Sequence, residues 1–372
     1  MKKIYLDNQS TTPIDPLVFA EMEPWFKEKF GNAASRNHTF GWEADHAVEG
    51  ARKSIADLIY CKPSEIIFTS GATESNNIAI QGIAYKLENK GKHLITASTE
   101  HKAVLDIYEH LKSKGYEITI LQVKDSGLLD INKLLESIRK DTILVSIMHV
   151  NNEIGVIQPI EKIGAICKSK GIVFHVDAAQ SVGKIPLEVD KMNVDLLSIS
   201  SHKMYGPKGV GALYIRKKNP QVVLSPIMFG GGHEKKYRSG TLNVPCIVGF
   251  GKASEICSNV MDREYKSTEK LRNILLENIT SISNNIFVNG SMSNRIAGNL
   301  NLRFAGISNE ALIAGVPEIA ISTGSACTTS TIEPSHVLLS IGLSRKDAYS
   351  SIRFGIGRFN TKEEINIASS SI

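Results

Sequence analysis

The stretch Ser-Ile-Ser-Ser-His-Lys-Met-Tyr-Gly-Pro-Lys, residues 198–208, decides the fold prediction for this chain. Residues 194–200 are apolar enough to form a buried strand, and the polar turn that follows presents His202 and Lys203 before a glycine-rich exit. A lysine directly after a buried strand can be held partly desolvated, which favours its neutral, nucleophilic form. The alternative is a solvated loop lysine, because lysine side chains are mostly exposed. The rest of the chain decides between the two.

Strand and helix patterns alternate on both sides of this turn. Continuous apolar runs such as residues 143–148 suit strands that are covered on both faces, and so predict a mostly parallel sheet flanked by helices. The pattern predicts strands at 65–69, 93–97, 117–123, 142–149, 171–177, 194–200 and 211–215, and helices at 43–59, 74–87, 101–112, 130–139 and 159–170. A polar loop is predicted at 31–42.

The pattern changes beyond residue 244. A long helix at 246–279 precedes strands near 286 and at 299–304, a helix at 309–316, and a loop at 322–331 rich in serine, threonine and glycine. We therefore expect an α/β protein with a large domain, residues 14–257, whose mostly parallel sheet is flanked by helices. A smaller α+β domain is expected from residues 258–372 together with residues 1–13.

Composition narrows the class of protein. The chain has 372 residues, 42% hydrophobic and 22% charged, and a net charge of +5 with no basic block, so no nucleic-acid partner is expected. No apolar run approaches the roughly 20 residues of a membrane span. Five scattered cysteines without a Cys-x-x-Cys pair favour a reducing compartment over disulfides or structural zinc. A cytoplasmic protein is expected, or one of a mitochondrial-type compartment if a leader has been removed.

An anion-binding turn is predicted at Thr-Ser-Gly-Ala-Thr-Glu-Ser-Asn, residues 69–76, between a strand and a helix. Glycine permits a sharp turn, and the first N–H groups of a helix attract anions. The alternative is a helix capped by Ser70 or Thr73 with no ligand. The nucleotide-binding glycine motifs of ATP and NAD sites do not occur in this turn.

A carboxylate follows another predicted strand. Asp177 ends residues 171–177, where open α/β sheets bind ligands, and Gln180 is three residues further on. A turn-capping aspartate is the alternative. Together, an anion site, a strand-end acid and the strand-end Lys203 meet the needs of pyridoxal phosphate, which requires a phosphate cradle, an acid on its ring nitrogen and a lysine for covalent attachment.

Longer motifs support this interpretation and carry a family resemblance. They are residues 69–75, Thr-Glu-His-Lys-Ala-Val at 99–104, Met-His-Val-Asn-Asn-Glu-Ile-Gly at 148–155, Tyr-Gly-Pro-Lys-Gly at 205–209, Arg-Ser-Gly-Thr at 238–241 and Gly-Ser-Ala-Cys-Thr at 324–328. With them the chain resembles the pyridoxal-phosphate-dependent cysteine desulfurases of the NifS/IscS family, in particular the IscS branch. These are class V aminotransferase-like proteins of fold type I. The resemblance runs from residue 4 to residue 359.

The resemblance implies a set of cofactor contacts. Lys203 would bind pyridoxal phosphate covalently and remove the α-proton of the substrate, and His101 would stack over the ring and move protons. For His101 the alternative is a helix-terminal histidine without a ligand. The remaining cofactor residues would be Ala72, Thr73, Ser200 and His202 at the phosphate, Asp177 at the ring nitrogen, Gln180 at the ring hydroxyl, Asn152, and Thr241 at the phosphate of the partner protomer.

The resemblance also implies how the substrate is held. Asn152 and Arg353 would bind the carboxylate of L-cysteine, and an arginine fork suits a carboxylate. A surface salt bridge is the alternative for Arg353. Cys327 would attack the substrate sulfur and carry it away as a persulfide on a loop at about 322–334. No intrinsic metal site is expected, and Cys327 would at most be a transient iron–sulfur ligand with a scaffold.

The function implied is a cysteine desulfurase that converts L-cysteine to L-alanine and supplies sulfur for iron–sulfur cluster assembly and for tRNA thiolation. Alternatives are a selenocysteine lyase, another class V enzyme, or a non-catalytic sulfur-transfer partner. A homodimer and an IscU-type scaffold partner are implied. Relatives continue for some tens of residues at the C-terminus, where the scaffold binds them, so weakened scaffold docking is expected.

Overall fold

The computed structural model describes residues 3–324 and 333–372. The strands among them are β1 (Ile4–Tyr5), β2 (Ile66–Thr69), β3 (His93–Ala97), β4 (Glu117–Leu121), β5 (Thr142–Ser146), β6 (Val173–Asp177), β7 (Leu196–Ser200), β8 (Gly211–Ile215), β9 (Ile286–Val288), β10 (Asn299–Phe304), β11 (Ile319–Ala320) and β12 (Ser351–Gly355). The helices are α1 (Pro16–Met22), α2 (Pro24–Lys27), α3 (Thr39–Leu58), α4 (Ala72–Lys86), α5 (Lys102–Ser113), α6 (Ile131–Ser137), α7 (Ile160–Lys170), α8 (Val244–Thr280), α9 (Asn309–Gly315), α10 (His336–Ser340), α11 (Arg345–Ala348) and α12 (Lys362–Ser371).

A seven-stranded sheet is the largest within the described residues, in the order β2-β8-β7-β6-β5-β3-β4. Strand β8 is antiparallel to both of its neighbours, and the other six strands therefore point the same way. The predicted α/β class with a mostly parallel sheet is confirmed. Because β8 runs backwards, the turn that carries Lys203 lies between two directly paired strands.

Both faces of this sheet are covered by helices. Helices α4 and α5 pack on one face, and α3, α6, α7 and the first half of α8 pack on the other. Side chains alternate between the faces, as in β2, where Ile66 and Phe68 join the second group and Ile67 joins the first. This two-sided burial explains why the central strands are continuous apolar runs.

Most predicted boundaries lie within a few residues of those found, and β3 and β8 match theirs. The prediction was wrong at the start of α3, which begins at Thr39 inside the predicted loop 31–42. The side chain of His38 caps it, because its Nδ1 accepts a hydrogen bond of 3.1 Å from the N–H of Gly41. The prediction was also too long for β5, which ends at Ser146 rather than at residue 149.

Smaller sheets lie in the C-terminal part of the chain. Strands β12, β10 and β9 form an antiparallel sheet in that order, and β1 pairs in parallel with β11. Ile4 and Leu6 share a buried cluster with the residues of β10 and β12. These contacts support the proposed division into residues 14–257 and residues 1–13 with 258–372, which stays a prediction.

Helix α8 links the two parts of the chain. Its 37 residues span about 56 Å at 1.5 Å per residue. Ile247 and Phe250 pack under the large sheet, whereas Leu275 and Ile279 join the cluster of β10 and β12. In the described ranges we find no helix with the length and apolar character needed to cross a membrane.

Candidate active site

The predicted site residues meet at one edge of the large sheet. Strands β2, β3, β5, β6 and β7 all end there, because they are parallel, and the segments after them border an open cavity of about 380 Å³. Nine predicted residues line this cavity: Ala72, Thr73, His101, Asn152, Asp177, Gln180, Ser200, His202 and Lys203. The sequence thus predicted correctly that these side chains lie together at one edge of the sheet.

The first turn of α4 provides an anion-binding end to the cavity. Its N-cap is Gly71, which makes no side-chain capping hydrogen bond, so neither Ser70 nor Thr73 caps the helix in the way the alternative required. Residues Gly71, Ala72 and Thr73 of this turn line the cavity. Strand β8 presses closely against the turn, since a Cβ on Gly211 would lie 2.6 Å from the Cα of Gly71. Only glycine at 211 allows this approach.

Asp177 lies at the end of β6 with 6% of its surface exposed. Its two carboxylate oxygens have separate partners. Oδ2 accepts a hydrogen bond of 2.8 Å from Nδ2 of Asn76, and Oδ1 accepts one of 2.9 Å from the N–H of Ala179. The carboxylate is therefore held in one orientation toward the cavity, and it also caps its own turn as the alternative interpretation proposed.

The amide group of Gln180 has a defined orientation. Its Nε2 donates to the backbone oxygen of Gln9 at 2.8 Å, and its Oε1 accepts from Nζ of Lys184 at 3.4 Å. Burial and the nearby charge of Lys203 lower the pKa of Lys184 to about 8. Gln180 therefore lines the cavity with its side chain held by Gln9 and Lys184.

The turn that carries Lys203 is tied to the N-terminal segment. Residues Ser201–Lys203 form one turn of 3-10 helix after β7. The backbone oxygen of His202 accepts hydrogen bonds from both the N–H (2.9 Å) and the hydroxyl (3.0 Å) of Thr12, and Nδ1 of His202 lies 3.0 Å from Oγ1 of Thr11. Burial, then the positive charge of Lys203, lowers the pKa of His202 to about 4, so this imidazole is neutral at pH 7.

His101 is both a helix cap and a cavity residue. Its Nδ1 accepts a hydrogen bond of 3.1 Å from the N–H of Ala103 at the start of α5, as the alternative interpretation proposed. Burial, then the charge of Lys203, lowers the pKa of His101 below its usual value. A neutral imidazole whose Nδ1 accepts must carry its proton on Nε2. The cap thus selects the tautomer of the residue.

Arg353 lies behind the cavity and not on its wall. It is 3% exposed in β12, so the surface salt bridge considered from the sequence is wrong. Its Nη2 donates to Oδ1 of Asp7 at 2.7 Å, and its Nη1 donates to the backbone oxygen of Asn152 at 2.9 Å. The buried Nε has no hydrogen-bond partner within residues 3–324 and 333–372. Asn152, whose backbone Arg353 contacts, itself lines the cavity.

Two predicted residues are not in this group. Thr241 is exposed and does not line the cavity, although its segment is tied to α4 by a hydrogen bond of 2.8 Å from Nε of Arg238 to Oε1 of Glu74. Cys327 lies outside the described residues.

The four other cysteines are free thiols, and burial raises the pKa of each, to about 12 for Cys167 and about 11 for Cys257.

Sequence reasoning missed Asn76, Ser10 and Gln9. Asn76 is fully buried inside α4, and Ser10 lines the cavity. A polar residue at a buried helical position was the available signal for Asn76, since the predicted helix 74–87 places it on the same face as Ala79 and Ile80. Nothing in the local pattern around Ser10 and Gln9 places them near residue 180.

These side chains fit pyridoxal phosphate. An uncapped helix end suits a phosphate, an oriented buried carboxylate suits a protonated ring nitrogen, and Lys203 stands on the same cavity. Ala72, Thr73, Ser200 and His202 would hold the phosphate, and Asp177 and Gln180 would contact the ring. The donor set therefore agrees with the cofactor inferred from the sequence.

Comparison with known proteins identifies the relatives of this chain. The family model of the class-V aminotransferases matches residues 4–367. The cysteine desulfurase IscS of Anaeromyxobacter dehalogenans (strain 2CP-C) is 53% identical over 365 residues, which cover 98% of this chain and 90% of that protein. A solved structure of a NifS-like protein is 37% identical to this chain and superposes with a TM-score of 0.92. The match covers 99% of this chain and 97% of the NifS-like chain. The structure of SspA in complex with cysteine is 39% identical to this chain, with a TM-score of 0.86. The match covers 96% of this chain and 100% of the SspA chain.

Proposed function

The chain belongs to the class-V aminotransferase family and, within it, to the IscS-type cysteine desulfurases, and we propose that it takes sulfur from L-cysteine, releases L-alanine and leaves a persulfide on Cys327. Its cofactor is pyridoxal phosphate. One observation carries this proposal: the uncapped start of α4, the oriented carboxylate of Asp177 and the amine of Lys203 border one cavity. The likeness to a structure of SspA in complex with cysteine supports the choice of substrate.

The cofactor residues divide into three groups. Ala72, Thr73, Ser200 and His202 would bind the phosphate, and at the ring Asp177 would stabilise the protonated nitrogen by its negative charge while Gln180 would contact the hydroxyl. Lys203, the third group, would hold the cofactor covalently. When bound, pyridoxal phosphate supplies an electron sink that acidifies the α-carbon of an amino acid. The hydrogen bond from Asn76 keeps the Asp177 carboxylate turned toward the ring position.

Lys203 and His101 move the protons. The amine of Lys203, which acts as a base in its neutral form, would take the α-proton of the substrate. His101 exchanges a proton through Nε2, because its Nδ1 is engaged at the start of α5. Its lowered pKa keeps this imidazole neutral near pH 7, so that it enters the reaction as Nε2–H.

Asn152 and Arg353 bind the carboxylate of L-cysteine. Arg353 holds Asp7 and the backbone of Asn152, and its buried Nε is the donor that these contacts leave without a partner in the described chain. A buried guanidinium group is a strong carboxylate binder because water competes little. Through its hydrogen bond to the backbone of Asn152, Arg353 also helps to fix a residue that lines the cavity.

The transfer of sulfur from L-cysteine to Cys327 needs no external oxidant. The Cys327 thiolate attacks the substrate sulfur, a sulfur–sulfur bond forms, and the carbon–sulfur bond breaks. The electron pair stays with the substrate β-carbon, which takes up a proton, so that L-cysteine and an enzyme thiol become L-alanine and an enzyme persulfide. The raised pKa values of the four described cysteines make each of them a poor nucleophile and support Cys327 for this step.

The functional unit is a homodimer in which Thr241 reaches the phosphate of the partner protomer. Large exposed apolar side chains in the N-terminal region support an interface there, and the rings of Phe30 and Phe40 lie 5.6 Å apart on it. The exposed apolar side chains of this region are Leu17, Phe19, Phe26, Phe30, Phe40 and Trp42. Light scattering should give twice the monomer mass, and Phe30→Asp should shift the protein toward monomer.

The acceptors of the sulfur are an IscU-type iron–sulfur scaffold and the proteins of tRNA thiolation. The IscS name of the 53% identical relative supports the first of these acceptors. The four free thiols in the described residues support a reducing cytoplasmic compartment. Retention of a tagged IscU-type scaffold by the purified protein tests the first acceptor.

Mass spectrometry after exposure to L-cysteine tests the proposed function directly. The holoenzyme should release L-alanine and gain one sulfur atom on the peptide that contains Cys327. Cys327→Ser should abolish the added sulfur, whereas Cys246→Ser should not. Equal sulfide release by Cys327→Ser would replace the proposal with a lyase that does not use this thiol.

A further inference from the structure

Lys184 is a partly buried lysine, four residues after Gln180, that no step above uses. The chain reaches it through a tight turn, in which the N–H of Lys184 donates to the backbone oxygen of Ser181 at 3.0 Å and Gly183 has a φ of +76°. A Cβ on Gly183 would lie 3.0 Å from Sγ of Cys257 in α8, so the turn packs closely against that helix. Glycine at 183 therefore allows the chain to bring Lys184 back toward Gln180.

Two neighbours select the same orientation for the amide group of Gln180. The backbone oxygen of Gln9 can only accept, so it pairs with Nε2, at 2.8 Å. The ammonium group of Lys184 can only donate, so it pairs with Oε1, at 3.4 Å. Nε2 has a second N–H, which has no acceptor among the residues that the structure describes. Gln180 lines the cavity and therefore keeps one hydrogen-bond donor for a ligand.

Lys184 also lines a second, small cavity of about 30 Å³, which Gln180 does not line. Glu264 borders this small cavity too, but its carboxylate is paired with Arg358 at 2.7 Å. In the described part of the chain Lys184 has no ion-pair partner. The other titratable groups around Lys184 are Lys203, His202 and Tyr205 after β7, Cys257 and Tyr265 of α8, and Arg353 of β12. The hydrogen bond to Gln180 is thus the contact through which this cation acts on the active-site cavity.

We propose that Lys184 is a positioning residue that keeps a hydrogen-bond donor of Gln180 directed at the ring hydroxyl of pyridoxal phosphate and so favours the anionic form of that oxygen. This inference rests on the contact between Gln180 and the ring hydroxyl in the proposed function. A donor stabilises an anionic oxygen, whereas an amide turned the other way would present Oε1 and favour the protonated hydroxyl. Lys184 disfavours that second orientation, because an ammonium group offers no acceptor to the NH₂ of the amide.

The pH dependence of the visible absorption band of the holoenzyme tests this role without turnover. The ring oxygen shares a proton with the nitrogen of Lys203 to which the cofactor is attached, and loss of this proton changes the band. Because Lys184 favours the anionic oxygen, Lys184→Met should raise the pH midpoint of this change by at least about 0.5 pH unit, a roughly threefold higher proton affinity. The other titratable groups that line the cavity, His101, Asp177, His202 and Lys208, are the same in both proteins.

Matched variants separate the donor from packing. Lys184→Arg keeps a charged donor and should stay within about 0.2 pH unit of the wild-type midpoint, as should Lys191→Met, which removes an exposed lysine. A wild-type midpoint in Lys184→Met would overturn the inference, and so would an equal rise in Lys184→Arg or in Lys191→Met. If Lys184→Met does not fold, the neutral and shorter Lys184→Gln replaces it, and a wild-type midpoint in that variant is the overturning result.

A double variant shows whether Lys184 acts through Gln180. Gln180→Ala should raise the midpoint by itself, and adding Lys184→Met to it should cause less than about a third of the rise that Lys184→Met causes alone. The full rise in the double variant, or a wild-type midpoint in Gln180→Ala, would overturn the positioning role. If the wild type gains no sulfur on Cys327, the proposed sulfur transfer fails, whereas these titrations still decide the role of Lys184.

Discussion

Asn76 and Asp177 join the anion-binding helix to the acid at the end of β6. The amide of Asn76, one turn into α4, donates a hydrogen bond of 2.8 Å to the carboxylate of Asp177, and both residues are buried. A hydrogen bond to a charged group contributes roughly 1.5–3 kcal/mol. This contact thus directly connects the two cofactor-binding ends of the cavity.

Replacing the donor by an acid should weaken cofactor binding. Asn76→Asp has nearly the same shape but places a second negative charge against Asp177, which disturbs the carboxylate that faces the ring nitrogen. We expect at least a tenfold rise in the Kd of pyridoxal phosphate, measured by absorbance titration of the apoenzyme. Asn77→Asp, whose amide contacts only helix side chains and backbone, is the control. Equal affinities would contradict the role given to Asn76.

The covalent role of Lys203 predicts a loss of colour. Lys203→Ala should remove the visible absorption band of the purified protein and reduce L-alanine formation by at least a factor of about 1,000, because attachment and α-proton removal both fail. The exposed Lys191→Ala is the matched control. A variant that keeps the wild-type spectrum would exclude Lys203 as the attachment point.

Buried histidines predict a loss of stability in acid. Burial lowers the pKa of His149 to about 4, below the usual value near 6.5. As the pH falls, the unfolded chain therefore binds a proton at His149 before the folded chain does. The contribution of the neutral, buried His149 to stability is complete above pH 6.5 and is lost as the pH falls toward 4. At pH 5 the loss is about 2 kcal/mol for this residue.

The measurement is the free energy of unfolding by urea at pH 7 and at pH 5. His149→Gln should reduce the difference between the two values, whatever its effect at pH 7, whereas the exposed His110→Gln should leave it unchanged. A wild-type pH dependence in His149→Gln would mean that this imidazole does not titrate as its burial implies.

A buried ion pair predicts a large cost for one arginine. Arg52 donates to both carboxylate oxygens of Glu234 at 2.8 Å, and Oε2 of Glu234 also accepts from the N–H of Phe68 at 2.7 Å. Arg52→Ala leaves this carboxylate buried without its cation, which should lower the free energy of unfolding by about 3–5 kcal/mol. Lys53→Ala, which breaks an exposed pair with Asp57, should cost less than about 1 kcal/mol. Similar costs for the two would contradict this.

The fold was predictable where burial dictates the residue type. Strands β3 and β8 match their predicted bounds, and every residue of both strands is buried. Helix α3 was misjudged because its cap, His38, is an unusual capping residue within a polar run. The short strand β12 was missed although Ser-Ile-Arg-Phe-Gly alternates, because five residues with two apolar positions give only a short pattern.

The cavity was predictable in part for a related reason. Asp177 and Lys203 follow buried strands directly, and parallel strands bring their ends to one edge. Ser10 and Gln9 were not assigned because their roles depend on contacts between distant parts of the chain, such as Gln9 with Gln180. The ion pair of Arg353 with Asp7 is another contact between distant residues that local pattern does not show.

The pairing of the first residues with much later ones has a consequence for biosynthesis. The N–H of Leu6 donates to Ala320 and that of Asn8 to Gly355, at 2.9 and 3.1 Å. At about 5–20 residues per second, a ribosome needs roughly 20–70 s to pass from Asn8 to Gly355. The N-terminal segment must wait during that time without its partners. Because Gln9 supports Gln180, the cavity becomes complete only when the last strand emerges.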